Sequence, residues 1–247
     1  MERIQLVKEP ADEYAKGKSD IALRPIVSSR EGVTPRFEVL ALSDRPVVDH
    51  IPGILAFLDD SLPATYRGKT RVSVSLDDGE VFDKAFPEYF LGKIRSQGIK
   101  PTRIALEICE RAVLSEAAWQ RVIPELARCG FRVVVKRYIA DNAGFDVLAS
   151  PHIAAIKVSP QVVAELSGSI LARRFLKGLQ ALANAINKQL IVDGVETLVQ
   201  AIWLEAMGCK TFQGTFYGPA MDARKARHFV LEGRQHAAPI DFEPVTN

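Results

Sequence analysis

The segment FRVVVKRYIADNAGFDVLASPHIAAIK (Phe131–Lys157) holds two short β-rich runs, Phe131–Lys136 and Ile153–Lys157, and each ends on a lysine. Between them, Asn142–Ser150 has room for only a turn or two of helix. Four more apolar runs end in the same manner: RVSVS at Ser75, RIALE at Glu107, LIVD at Asp193 and KTFQ at Gln213. A polar or ionisable exit on strand after strand is what a parallel barrel with one working face needs. Lys136 is the odd member, because Arg137 follows it at once and Glu38, Glu107 and Asp193 supply the remaining charge of the ring.

Working outward, β-rich runs alternate with amphipathic stretches along the whole chain, the pattern of a parallel α/β protein. The strands are expected at Ile21–Val27, Arg36–Leu42, Arg71–Leu76, Arg103–Ile108, Phe131–Lys136, Ile153–Lys157, Gln189–Val192 and Lys210–Gln213. Only SSREGVTP separates the first two, too short for a crossover helix, so they should pair as an antiparallel hairpin. Helices are expected at Ile51–Leu62, Val81–Gln97, Ser115–Cys129, Pro160–Asn187, Leu198–Met207 and Asp222–Glu232. Ser115 with Glu116 reads as a start, Pro160 as a first-turn residue, and Cys129–Gly130 and Met207–Gly208 as stops. The fold class that follows is a (β/α)8 TIM-like barrel with an antiparallel first strand. Its expected organisation is an N-terminal segment 1–20, one barrel domain 21–235 and an irregular tail 236–247.

The 247 residues, 47% hydrophobic, suffice for one barrel-sized core. No run approaches the roughly 18 apolar residues of a membrane span, and the polar start lacks a secretion signal, so the expected location is the cytoplasm. Cys109, Cys129 and Cys209 are odd in number and lie among apolar residues, which suits reduced thiols and argues against cysteine metal chemistry. A net charge of +2 gives no long-range attraction for nucleic acid. His50, His152, His228 and His236 lack metal-ligand spacing, and Asp77-Asp78-Gly79 reads as a turn rather than a calcium loop. GVE at Gly194–Glu196 and QG at Gln213–Gly214 read as tight backbone at strand ends. Trp119 and Trp203 read as core packing first and interface second.

The order and spacing of RFEVL, VSVSL, LEICE, the charged pair after VVV, AAIKVS, VDGVE and FQG resemble the EAL domain family, from Leu23 to Pro219. That family comprises bacterial cyclic di-GMP phosphodiesterases and catalytically dead relatives, on a barrel whose first strand is antiparallel. By the resemblance, Glu38 is the signature glutamate, with Val39 in place of the alanine, and Glu107 and Glu110 match the paired glutamates. Pro25, Ile26, Lys157, Glu196, Gln213 and Gly214 also match. Arg24 replaces a glutamine, Leu42 the arginine that grips a ligand phosphate, Ser75 a metal-binding asparagine and Ser159 an aspartate. Asp193 shortens the general-base glutamate, and Lys136 and Arg137 stand where the two metal-binding aspartates belong. The loop Tyr138–Phe145 keeps little of the family's glycine pattern, and Leu42–Arg71 is short for its usual pair of helices.

Family hydrolysis is two-metal chemistry, in which clustered carboxylates hold the ions. Exchanging two aspartates for two cations removes ligands and repels a dication, so the resemblance implies a degenerate domain with no metal, no catalytic residue and no enzymatic activity. The expected role is a regulator in bacterial cyclic di-GMP signalling, working through a regulatory or motility-related protein partner. The ring admits two readings. In a receptor, cyclic di-GMP binds without metal, with Arg24, Glu38, Ser75, Lys136, Arg137, Lys157, Gln213 and Pro219 as candidate ligand-binding residues. In a nucleotide-independent scaffold, the cations pair Glu38, Glu107 and Asp193. Residual phosphodiesterase activity is the remaining alternative.

Overall fold

The computed structural model describes residues 20–30, 34–42, 46–76, 83–113, 118–139 and 144–237. Its strands are β1 (Ile21–Pro25), β2 (Val27–Ser28), β3 (Arg36–Ala41), β4 (Arg71–Ser75) and β5 (Ile104–Cys109). They continue with β6 (Arg132–Tyr138), β7 (Ile153–Val158), β8 (Gln189–Val192) and β9 (Thr211–Phe212). The order β1-β3-β4-β5-β6-β7-β8-β9-β2 is parallel from β3 to β9, and β1 is antiparallel to β3. The expected hairpin and TIM-like α/β barrel are therefore both present.

The first strand differs from expectation. Ile21–Val27 is not continuous: it breaks at Ile26, β1 pairs β3, and β2 pairs β9 antiparallel at the far end of the sheet. One chain segment thus supplies both edges, which draws the sheet round into a ring and removes exposed edges.

The helices are α1 (Ile51–Ser61), α2 (Phe86–Ser96), α3 (Glu110–Val113), α4 (Ile123–Arg128) and α5 (Phe145–Ala149). They are followed by α6 (Pro160–Ala164), α7 (Ile170–Ala185), α8 (Leu198–Ala206) and α9 (Ala223–Leu231). The stretch expected as one helix, Pro160–Asn187, is broken: α6 passes into a 3-10 turn at Glu165–Ser167, and α7 restarts where the Ser169 side chain accepts from Ala172 N. Gly168 and a serine N-cap make that restart cheaper than continuing. α7 buries Ala172, Leu176, Leu179 and Ala183, one apolar stripe at helical spacing. Pro160 sits in the first turn of α6, and α4 and α8 stop before Gly130 and Gly208, both at positive φ. Among the described residues between Leu42 and Arg71, α1 is the one α-helix.

The tail is less irregular at its start than expected, because His236 bridges Ser28 and Ala237 N donates to Ser28 O. Ser115, Glu116, Asp77, Asp78, Gly79, segment 1–19 and residues 238–247 lie outside the described residues. No described helix is long and apolar enough to cross a membrane. Inside the barrel, Ile26, Val134, Ala155 and Ile191 pack as a middle layer, with Ala105 against them. Two residues further along their strands stand Glu107, Lys136, Lys157 and Asp193, brought to the same end by strand alternation.

Candidate functional site

At the strand exits, the hairpin register sets Arg24 opposite Glu38, and the β4–β5 register sets Ser75 opposite Glu107. Lys157 stands between the acids. Its Nζ donates to Glu38 Oε2 at 2.9 Å and to Glu107 Oε1 and Oε2 at 3.0 and 2.9 Å, and lies 3.8 Å from Asp193 Oδ2. The Arg24 guanidinium reaches Glu38 Oε2 at 2.7 Å and Asp193 Oδ2 at 3.3 Å. Gln213 Nε2 donates to the same Glu38 oxygen at 2.9 Å. Lys136 Nζ donates to Ser75 Oγ at 2.5 Å.

Glu38, Glu107, Lys157, Asp193 and Gln213 are all buried, so the charges meet in a medium where pairing decides which form each adopts. Burial alone would raise the Glu38 carboxyl, but Lys157 and Arg24 outweigh it and hold the group well below the ordinary carboxylate range. Glu107 is raised, first by its complete burial and then by the Glu38 charge, against the pull of Lys157. Burial disfavours the Lys157 ammonium, yet Glu107, Glu38 and Asp193 together raise it above an ordinary lysine. Lys136 is lowered by burial, with Glu107 and Glu38 opposing and Lys157 and Arg137 adding to the effect. Of Glu38 and Glu107, Glu107 is accordingly the more ready to take a proton.

The remaining expected site residues stand apart. Arg137 is exposed at φ 56°, at an irregularity where β6 advances three positions, from Val135 to Tyr138, against two on β7, from Ile156 to Val158. Such a bulge re-aims side chains at a strand end. Glu110 is buried, but its Oε2 accepts from Ile139 N at 3.1 Å, tying α3 to the exit of β6. Glu196 and Pro219 are exposed on the loops after β8 and β9. Gly194 and Gly214 serve the tight backbone expected of them: at φ 86° a Cβ on Gly194 would strike Pro160, and at φ 149° one on Gly214 would strike the Val195 backbone.

Sequence reading missed the other ends of these strands. β3, β4 and β6 each open on arginine, a signal present in RFEVL, RVSVS and FRVVVK but eclipsed by the exits. It also missed the bidentate Arg103–Asp59 pair, at 2.7 and 2.8 Å, which fastens β5 to α1. Trp119 and Trp203 are partly buried against the core, with Arg173 stacked 4.0 Å from the Trp203 ring. Cys109, Cys129 and Cys209 are free.

The carboxylate oxygens at the strand exits are those of Glu38, Glu107 and Asp193, and Lys157 or Arg24 lies against each acid. The EAL domain family model matches residues 54–220. An uncharacterized signaling protein of Caulobacter vibrioides is 22% identical over 238 residues, 88% of this chain and 29% of its own length. The blue light- and temperature-regulated antirepressor BluF of Escherichia coli is 24% identical over 133 residues, 53% of this chain and 33% of its own. The chain thus spans about a third or less of these relatives. Among solved structures, the EAL enzyme Bd1971 in its cAMP- and cyclic-di-GMP-bound form superposes with a TM-score of 0.76 at 16% identity, over 89% of this chain and 66% of that one.

Proposed function

The chain belongs to the EAL domain family, and from that premise we propose that it is a non-catalytic regulator in cyclic di-GMP signalling, acting through contacts with a protein partner. The observation that carries this reading is the pair of ammonium groups inside the acid ring. Lys157 lies against Glu38, Glu107 and Asp193, and Lys136 lies on Ser75. The residues present do not fit a dication. At about 4 Å and an effective dielectric near 20, each unit charge repels another by roughly 4 kcal/mol, and a dication feels about twice that from one ammonium. An antirepressor among the relatives agrees with a regulatory role for the fold.

A metal-free cyclic di-GMP receptor is the second reading, favoured by Arg137, a cation exposed at the exit of β6. Arg24 and Lys157, by contrast, are committed to carboxylates. The test is calorimetric titration with cyclic di-GMP, once with magnesium and once with a chelator, with hydrolysis measured on the same samples. We expect no turnover in either; metal-dependent turnover overturns the non-catalytic reading. Metal-independent binding weakened by Arg137→Ala would establish the receptor. Absence of binding at high micromolar ligand would leave the scaffold, whose partner is sought by pull-down.

A further inference from the structure

At the strand starts, one side-chain layer from the carboxylate network at the exits, Arg36, Arg71 and Arg132 are the first residues of β3, β4 and β6. Strand alternation places Arg36 on the face of Glu38, Arg71 on the face of Ser73 and Ser75, and Arg132 on the face of Val134 and Lys136. All three line one cavity of about 30 Å3 within the barrel, beside the small side chains of Ser73, Ala105 and Ala155; Glu107 of the carboxylate network lines it too.

These arginines lack the compensation found elsewhere in the fold. Arg36 and Arg71 are direct partners in the β3–β4 register, a like-charge juxtaposition that destabilises a sheet. Neighbouring Arg103 is held by Asp59 and by the Thr70 carbonyl, but no carboxylate among the described residues pairs with Arg36, Arg71 or Arg132. Arg36 Nε is buried without a hydrogen-bond partner among the described residues. Burial, then Arg71, Arg132 and Arg30, lower the Arg36 guanidinium to about 10; burial and Arg71 lower Arg132. Buried donors without partners and converging like charges are both costly, and one anion relieves both.

We propose that this second mouth is an anion site in which Arg36, Arg71 and Arg132 hold a phosphate-class oxyanion. Guanidinium forks match phosphate oxygens bidentately. An enclosed space of about 30 Å3 is on the scale of a water molecule, so the oxyanion is held at the mouth, where Arg71 is exposed, and no nucleotide base enters; the ligand class is inorganic phosphate or the terminal group of a phosphomonoester. The site shares no arginine with the acid network and stands whether or not cyclic di-GMP binds at the other end.

The experiment is calorimetry on the full chain with inorganic phosphate and, separately, glycerol 2-phosphate, at constant ionic strength and with chloride as the control. One saturable site is expected for phosphate alone or for both; binding of the monoester alone also supports the site and identifies its source. Arg71→Ala is the safest variant because Arg71 is exposed, and with Arg132→Gln it should weaken binding about tenfold or more each. Arg128→Ala, at an exposed surface pair, should leave binding unchanged. Thermal melting supplies an independent sign: Arg71→Ala should raise Tm in chloride, by relieving repulsion, and reduce the gain in Tm that phosphate produces. Absence of saturable binding for both anions, or binding that survives Arg71→Ala and Arg132→Gln intact, overturns the proposal.

Discussion

Replacing Lys157 by methionine keeps the approximate volume and removes the cation shared by Glu38, Glu107 and Asp193. Three charge-assisted hydrogen bonds, one to Glu38 and two to Glu107, are lost with it. Bonds to charged groups contribute about 1.5–3 kcal/mol each, but these share one donor and do not add, so the expected cost is that of breaking a buried pair, about 3–5 kcal/mol. For a protein of this size that corresponds to roughly 6–20 °C in Tm. Urea unfolding at neutral pH should move to a lower midpoint with an unchanged slope. The pH dependence carries the sharper test. In the variant Glu107 loses its cation, so its folded-state pKa, already raised by burial, rises further, while Glu38 keeps Arg24 and is held down less strongly. A raised carboxyl stabilises the fold while protonated and loses that contribution as pH rises through its folded pKa. The deficit against the wild type should therefore shrink as pH falls through the carboxylate range, by up to about 1.4 kcal/mol per pH unit for each proton taken up. A neutral-pH deficit below about 1 kcal/mol, or one independent of pH, would refute the ionic account of this network.

Lys136→Met should cost far less than Lys157→Met, about 1 kcal/mol or less, because Lys136 bonds a neutral hydroxyl and burial already disfavours its charge; parallel urea titrations compare them. Gly214→Ala should destabilise by about 3 kcal/mol through collision of its Cβ with the Val195 backbone, read from the unfolding midpoint. Arg103→Ala should cost about 2–3 kcal/mol, since it abandons a bidentate pair and the Thr70 carbonyl, whereas Arg128→Ala, at an exposed pair, should leave Tm unchanged. Above the ordinary lysine pKa, the wild type should lose stability as the unfolded chain releases the Lys157 proton that the folded network still holds, seen as a falling Tm in alkaline buffers.

Period-two runs ending on Ser75, Glu107, Lys136, Lys157, Asp193 and Gln213 determine a barrel with one polar exit face, because strand alternation fixes which residues share a face. Glycines at helix ends and the short link between Val27 and Arg36 determine the stops and the hairpin for equally local reasons. Nonlocal competition decided what those signals left open. Ile26 interrupts the first strand because closure needs partners at both ends of the sheet, and pairing with β9 lies some 180 residues away in the chain. Which cation meets which acid is likewise a matter of aim and distance: of four candidate cations, Lys157 and Arg24 take the carboxylates, Lys136 takes Ser75, and Arg137 turns outward at the bulge. The residue types at both barrel mouths can be read from the chain; the convergence of Arg36, Arg71 and Arg132 with no described carboxylate paired to them comes only from the closed ring, which brings charges distant in sequence within reach of one another.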